Sequence, residues 1–357
     1  MTSSTISARR RWVTAWVRRG AGILTVALVV EYFVLPQLAG ARAALSVLSQ
    51  VSAGFLVLGL ALEAASLVSY SALTRSVLPA GSSPPLWTVL RIDISALGLS
   101  HVVPGGGATA SALRYRLFTL AGVPRVTVLA STAIQGIGVA VALSLVFVVG
   151  MALAFPSAHQ NASFDLAAAV AAALIVAATA GTVLLVRRQQ QVSAAVVRLG
   201  TRLHLRNPGA AARLMGDLAT QLRTLVDDPH LLLRTLGWAS ANWMLDAASL
   251  WVFLRAFGAT EGLRGLLVGY GLAGILALLP LMPGGLGLVE ATLISVLAGF
   301  GTPHAEAVIG VITWRLAEFW LPIPLAALAY LSLRTGPLRH LGLPGRPLVP
   351  RAPDDEA

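Results

Sequence analysis

Two stretches of this sequence set backbone-breaking residues and charge inside long apolar runs. Val102-Val103-Pro104-Gly105-Gly106-Gly107 is followed by Arg114, and Met282-Pro283-Gly284-Gly285-Leu286-Gly287-Leu288-Val289 leads into Glu290. Proline has no N–H and collides with the preceding turn, and paired glycines loosen the backbone, so each stretch predicts two half-helices meeting at a bend. Half-helices starting at 106–108 and 285–287 would aim free amides and positive dipole ends at the bend, where an anion such as a lipid phosphate is stabilised. The glycines would equally serve close helix packing. The candidate site thus begins with Pro104, Gly105, Gly106 and Gly107 in the first bend and Pro283, Gly284 and Gly285 in the second.

Arg114 lies on the first returning half-helix. An arginine at the bilayer centre costs about 2.5–3.5 kcal/mol on insertion scales, so it must face protein or water. Its guanidinium can grip two phosphate oxygens at once, which makes Arg114 the preferred headgroup ligand; Arg116 is expected to snorkel to the inner headgroups. Glu290 falls in the first turns of the second half-helix, where the dipole stabilises a carboxylate with or without a function. It is also a candidate proton carrier, or a partner for Arg315 or Arg114. Arg315 and Glu318 stand three apart on one helix face, the pattern of a buried ion pair that a substrate headgroup could enter.

Glu63 and Asp246 occupy matching places in the similar segments 62–67 and 245–250. That predicts symmetric placement near a central cavity, with pairing to Arg91, Arg114 or Arg315, or else proton coupling. Asp93 is expected near the inner headgroups, and His101 as a hydrogen-bonded packing residue. No metal-ligand spacing, Walker loop, nucleophile elbow or HExxH occurs, so no metal, cofactor, ATP-driven step or enzymatic activity is expected.

The elements that must carry these residues follow from composition. Hydrophobic residues make up 56% of the chain and charged residues 11%, with a mean hydropathy of +0.78, which reads as an all-α polytopic membrane protein. All 26 basic residues are arginine and the net charge is +11. In a membrane protein arginine gathers in cytoplasmic loops and meets anionic lipid, so nucleic acid is not an expected partner. Cysteine is absent, which removes disulfides and thiolate chemistry.

A basic cytoplasmic tail, 1–20, precedes the apolar run 21–38, read as a first span in preference to a cleaved signal peptide. Further full spans are predicted over 45–73, 126–155, 166–186, 231–257 and 307–333, making six, with broken hairpins at 86–121 and 262–300. The uncharged arm 94–103 rises only about 15 Å, against about 30 Å of hydrocarbon, so the first hairpin is expected to dip in and return. Loop 187–230 carries the main cytoplasmic arginine cluster and either an amphipathic helix on the inner leaflet, through Leu214, Leu218, Leu222 and Leu225, or a solvated connector. Asn161-Ala162-Ser163 matches a glycosylation pattern too short to weigh. The tail 334–357 is expected to be disordered and cytoplasmic.

Pro104 and Pro283 are 179 positions apart, Gly122-Val123-Pro124 and Gly301-Thr302-Pro303 keep that spacing, and segments 62–67 and 245–250 are 183 apart. Matches in the same order predict an internal duplication of 21–155 in 165–333. Each copy holds two spans, a broken hairpin and one more span, so the second copy starts from the opposite face and the repeat is inverted. Inverted repeats whose broken helices meet near the midplane build many secondary transporters.

Residues 20–333 resemble the lysylphosphatidylglycerol synthase transmembrane-domain family of flippase-like integral membrane proteins. The resemblance rests on Pro283-Gly284-Gly285-Leu286-Gly287-Leu288-Val289-Glu290-Ala291, on Gly301-Thr302-Pro303, and on Trp314-Arg315-Leu316-Ala317-Glu318-Phe319-Trp320-Leu321-Pro322. The segment from Pro104 to Arg114 is similar to one branch, where many relatives carry an acidic glycine motif instead. The resemblance implies a plasma-membrane protein similar to the flippase half of the multiple peptide resistance factor, which moves aminoacylated phosphatidylglycerol between leaflets. These 357 residues contain no counterpart of the soluble domain that makes that lipid, so that lipid is not singled out as cargo.

The expected function is movement of a phosphate-bearing phospholipid or glycolipid across the membrane through a central polar cavity. The expected partners are membrane lipids with anionic or phosphate-bearing headgroups, and a separate lipid-modifying enzyme. The alternatives are a lipid-presenting subunit for a glycosyltransferase or lipid synthase, a small-solute transporter, and, with no nucleophile–base pair in view, an intramembrane lipid-modifying enzyme.

Overall fold

Proline and glycine punctuate the helices. In the computed structural model, which describes residues 52–79, 81, 83–103, 106–154, 227–259, 262–277 and 283–338 with isolated positions between 188 and 223, all regular structure among the described residues is helical. Helix α1 is Ala53–Val77, α2 Leu86–Val102, α3 Gly106–Leu120, α4 Arg125–Ala154, α5 Pro229–Ala256 and α6 Leu263–Ala277. A 3₁₀ turn at Pro283–Gly285 precedes α7, Leu288–Gly299; α8, His304–Arg315, then passes through a π turn at Leu316–Trp320 into α9, Pro322–Thr335.

Helices α2, α4 and α8 each start directly after a proline, at Pro85, Pro124 and Pro303. Proline fixes φ near the helical value and removes a donor that the first turn leaves unpaired anyway. Asp228 caps α5: its Oδ1 accepts from the amides of His230 at 3.0 Å and Leu231 at 3.1 Å, with Pro229 at the first helical position.

The same turn closes both hairpins. Gly122 and Gly301 adopt φ of 91° and 102°, the left-handed conformation that glycine enters without a Cβ clash. Val123 N–H donates to Phe118 C=O and Gly122 N–H to Thr119 C=O; Thr302 and Gly301 do the same to Leu297 and Ala298. Both are Schellman closures followed by proline, and every partner in one lies 179 positions from its counterpart in the other.

Helix α1 packs on α5, α2 on α9, and α4 on α6, while α2 and α3 pack as one hairpin and α6 and α7 as another. Glycines allow the close approaches: a Cβ on Gly59 would lie 2.4 Å from the Phe253 ring, and one on Gly271 would lie 2.6 Å from Phe147 Cβ. One apolar core joins α4 to α8; a smaller one surrounds Phe118, Ile92 and Leu333. On the outside, Val57, Trp87, Leu233 and Leu328 are each more than 60% exposed, a surface suited to hydrocarbon and unsuited to water. Helices α1 and α4 and the continuous run His304–Thr335 are long and apolar enough to cross a bilayer.

Of the predicted full spans, 45–73, 126–155 and 307–333 overlap the three helices long and apolar enough to cross, 231–257 falls on α5, and the predicted hairpins 86–121 and 262–300 overlap α2–α3 and α6–α7. The last span continues to Thr335, so the first two positions of the predicted tail are helical. Spans 21–38 and 166–186, the leucine face of the 187–230 loop, Asn161, Pro104, Gly105 and the tail beyond 338 lie outside the described residues.

Candidate functional site

Helices α1 and α5 cross antiparallel, and side-chain bonds tie the crossing at two levels, with Asn242 Nδ2 also donating to Ser66 Oγ at 2.7 Å. Ser66 Oγ donates to the Asn242 carbonyl at 3.0 Å, and Ser249 Oγ donates to the Gly59 carbonyl at 3.1 Å. Between them sit Glu63 and Asp246. Both Asp246 oxygens are engaged: Tyr270 Oη donates to Oδ2 at 2.7 Å and Trp314 Nε1 to Oδ1 at 2.8 Å. Glu63 is equally buried, at 7% exposure, yet its Oε1 has no hydrogen-bond partner. The arginine pairing expected of these two acids does not form, because the arginines of α3 and α8 are held by other carboxylates.

The first of those arginines is Arg114. Its Nη2 donates to Thr74 Oγ1 at 2.9 Å and to Gln135 Oε1, and its Nε faces Asp93 Oδ1 at 3.0 Å without hydrogen-bond alignment. The guanidinium lies 5.8 Å from the Tyr70 ring and 5.5 Å from Phe118. Asp93, expected at the headgroups, is instead 5% exposed and takes a further bond from Thr74 Oγ1 at 2.9 Å. The burial follows from a shared need: a guanidinium inside the fold requires a counter-charge, and the α2–α3 hairpin brings this carboxylate opposite it.

Arg315 sits where α8 passes into the π turn. Pro322 and Pro324 lack the amides that would continue the α pattern, and Leu321 N–H reaches back five residues to Leu316 C=O at 2.9 Å. Arg315 Nε donates to Glu290 Oε1 at 2.6 Å, Nη1 to Glu318 Oε2 at 2.7 Å and Nη2 to Gly284 C=O at 2.9 Å. Glu290 Oε2 accepts the Gly287 amide at 2.6 Å, so this carboxylate both caps α7 and pairs with Arg315.

Phe319, within the π turn, joins the two bends. His101 Nδ1 donates to its carbonyl at 2.9 Å, as it must, since a carbonyl only accepts. Gly284 packs against the same ring so closely that a Cβ there would lie 2.0 Å from Phe319 Cε2.

A cavity of about 350 Å³ opens between α1, α2, α3, α5 and the π turn. Glu63 and Asp246 line one side, Asp93 and Arg114 another, and Glu318 and the Gly107 end of α3 complete its polar wall. Ser71, fully buried and turned toward the Asp93 carboxylate, also borders it.

Residues 21–326 match the family described as lysylphosphatidylglycerol synthase TM region. The chain belongs to that family. Two relatives are similar over shorter stretches. The inner membrane protein YbhN of Escherichia coli (strain K12) is 29% identical over 97 residues, 27% of this chain and 30% of the relative. A UPF0104 membrane protein of Methanothermobacter thermautotrophicus is 22% identical over 130 residues, 36% of this chain and 38% of the relative. The matched stretch thus spans about a third of the length of either relative. With the family and the apolar helices together, this lysylphosphatidylglycerol synthase TM region protein is an integral membrane protein.

In this family member the predicted residues divide into two groups. Glu63, Asp246, Gly107, Arg114 and Glu318 line the cavity. Gly284, Gly285, Glu290 and Arg315 gather at the second bend behind the π turn and do not line it. Gly106 starts α3 against the Ser100 backbone, and Pro283 opens the 3₁₀ turn. Arg116 is exposed, and His101 is the hydrogen-bonded packing residue expected. Thr74, Gln135, Tyr270, Trp314 and Phe319 were not singled out from the sequence. Gln135 and Tyr270 carried a signal, as polar side chains inside apolar helices that need an internal partner; Phe319 carried none.

Proposed function

We propose that this protein moves a phosphate-bearing lipid between the leaflets of the cell membrane, with the headgroup passing through the α1–α2–α3–α5 cavity and the acyl chains remaining in hydrocarbon. The observation that carries this reading is the cavity itself, a partly open space inside an apolar helical protein whose wall carries charged side chains, bordered by Arg114, the N-terminal end of α3 and the buried Ser71 hydroxyl. Guanidinium, helix-start amides and a hydroxyl are phosphate donors. The Arg114–Asp93 contact lacks hydrogen-bond alignment, so a phosphate oxygen competes with Asp93 for Nε.

An inverted repeat with cytoplasmic termini is part of the same proposal. Ser66 and Ser249 are 183 positions apart, as are Gly59 and Asn242, so the two serine-to-carbonyl bonds between α1 and α5 are images of each other. Reciprocal contacts of that kind characterise a two-fold relation. Because the equivalent helices run antiparallel, the relation supports halves of opposite orientation. The packing of α2 on α9 and of α6 on α4 repeats the same reciprocity.

The test uses purified full-length protein in vesicles of phosphatidylethanolamine and phosphatidylglycerol carrying fluorescent phosphatidylglycerol. Wild type should move the probe between leaflets faster than protein-free vesicles, and Arg114→Ala should slow it. No movement, together with co-purification of a lipid synthase or glycosyltransferase, would favour a lipid-presenting subunit.

A further inference from the structure

We propose that Glu63 is a proton-binding site facing the lipid pathway, and that its proton couples lipid movement to the transmembrane proton gradient. The inference rests on the transport reading above and adds its energy source.

Glu63 belongs to the crossing of α1 and α5, where it adjoins the carboxyl of Asp246, its counterpart in the other half. The two acids are provided for differently. Tyr270 and Trp314 direct one donor to each Asp246 oxygen, which is how a site holds a carboxylate in its charged form. The Glu63 carboxyl, with 7% exposure, meets only the Ser249 hydroxyl and Asp246 itself, and its Oε1 has no donor. A charged carboxylate left so would carry the desolvation cost of an unpaired buried ion, whereas a protonated one carries little. Two neighbouring carboxyls with one proton between them is the arrangement such a pair adopts.

Among the described residues no cation faces Glu63. From α5 the ionisable group facing Glu63 is Asp246 itself; from the π turn it is Glu318, already paired with Arg315; Asp93 of α2 lines the same cavity and already faces Arg114 of α3. Helix α4 carries no ionisable residue after Arg125 at its start. The cavity gives Glu63 a route by which the proton can arrive and leave, and the same cavity holds Arg114. A phosphate drawing Arg114 away from Asp93 adds an uncompensated carboxylate to that chamber, which favours protonation of its neighbours. Lipid occupancy and proton occupancy are linked in this way without any contact between them.

Two measurements on the purified full-length protein test the proposal. Infrared difference spectroscopy should show a protonated carboxyl band in wild type that shifts in heavy water and is lost in Glu63→Gln. In the phosphatidylethanolamine and phosphatidylglycerol vesicles, a gradient of about one pH unit should shift the steady-state leaflet ratio of fluorescent phosphatidylglycerol by up to about tenfold per coupled proton. Glu63→Asp should keep this response and Glu63→Gln should lose it while remaining monodisperse.

Wild-type movement that ignores the pH gradient, or follows a sodium gradient instead, would overturn the coupling and leave the transport reading standing. A carboxyl band that persists in Glu63→Gln would overturn the assignment of the site. Absence of any lipid movement by wild type would remove the transport reading and the coupling together.

Discussion

His101 and Phe319 stack with ring centroids 4.2 Å apart and planes 14° from parallel, although 218 positions separate them. The contact joins the end of α2, just before the first bend, to the π turn that lies against the second. Phe319 therefore touches the elements beside both bends at once, with His101 stacked on its ring and Gly284 against its Cε2.

Gly284 should tolerate no side chain. Gly284→Ala meets both a φ of 57° and the Phe319 ring 2.0 Å away, whereas Gly287→Ala meets a φ of 80° with nothing within 4 Å. Strain at a left-handed position costs about 1–3 kcal/mol, so both variants should melt lower in detergent and Gly284→Ala lower still. Equal melting temperatures would show that the ring yields.

Arg114 and Asp93 should behave as one unit. Removing one member of a buried pair leaves an uncompensated charge and costs about 3–5 kcal/mol, so Arg114→Ala should be strongly destabilised. The double variant with Asp93→Ala should recover part of that loss, and a double-mutant cycle from unfolding in mild denaturing detergent would measure it. Additive losses would mean that Thr74 and Gln135 hold Arg114 without help from Asp93.

Glu290 caps and pairs simultaneously, so its substitutions should separate by acceptor count. Glu290→Gln keeps one acceptor for Gly287 N–H or Arg315 and should lose roughly 1–2 kcal/mol; Glu290→Ala abandons both and should lose more. Thermal unfolding of the two proteins side by side decides the order, and reversal of that order would argue against the capping role.

The absence of native cysteine makes orientation directly measurable. Arg125 and His304 are exposed, 179 positions apart, and each follows its hairpin-closing Gly-x-Pro turn. Single substitutions Arg125→Cys and His304→Cys should react with an impermeant maleimide from opposite sides of the membrane, the first from the cytoplasm and the second from outside. Labelling of both from one side would exclude inverted halves.

The helices and their interruptions were legible in the sequence because they depend on local chemistry: Pro85, Pro124 and Pro303 start helices, Gly122 and Gly301 end them, and the two Pro-Gly-Gly segments break apolar runs. The Arg315–Glu318 pair was legible as a three-residue spacing on one face. The partners of Glu63, Asp246 and Asp93 were not. Which donor meets which acid is decided by helices brought together across 20 to nearly 70 positions, as with Arg114 and Asp93 or Trp314 and Asp246. The π turn was missed for a related reason: Pro322 and Pro324 announce a defect but not whether the helix ends or merely gains a residue.

The bonds from Ser66 to Asn242 and from Ser249 to Gly59 also limit how the two halves can travel. They bracket Glu63 and Asp246 on either side of the crossing, so sliding one helix along the other by a single residue, about 1.5 Å, stretches both at once. Rocking about the crossing keeps them short. In the proposed transport cycle the carboxyl pair would sit at a fulcrum, the place that shifts least while the surrounding walls swing.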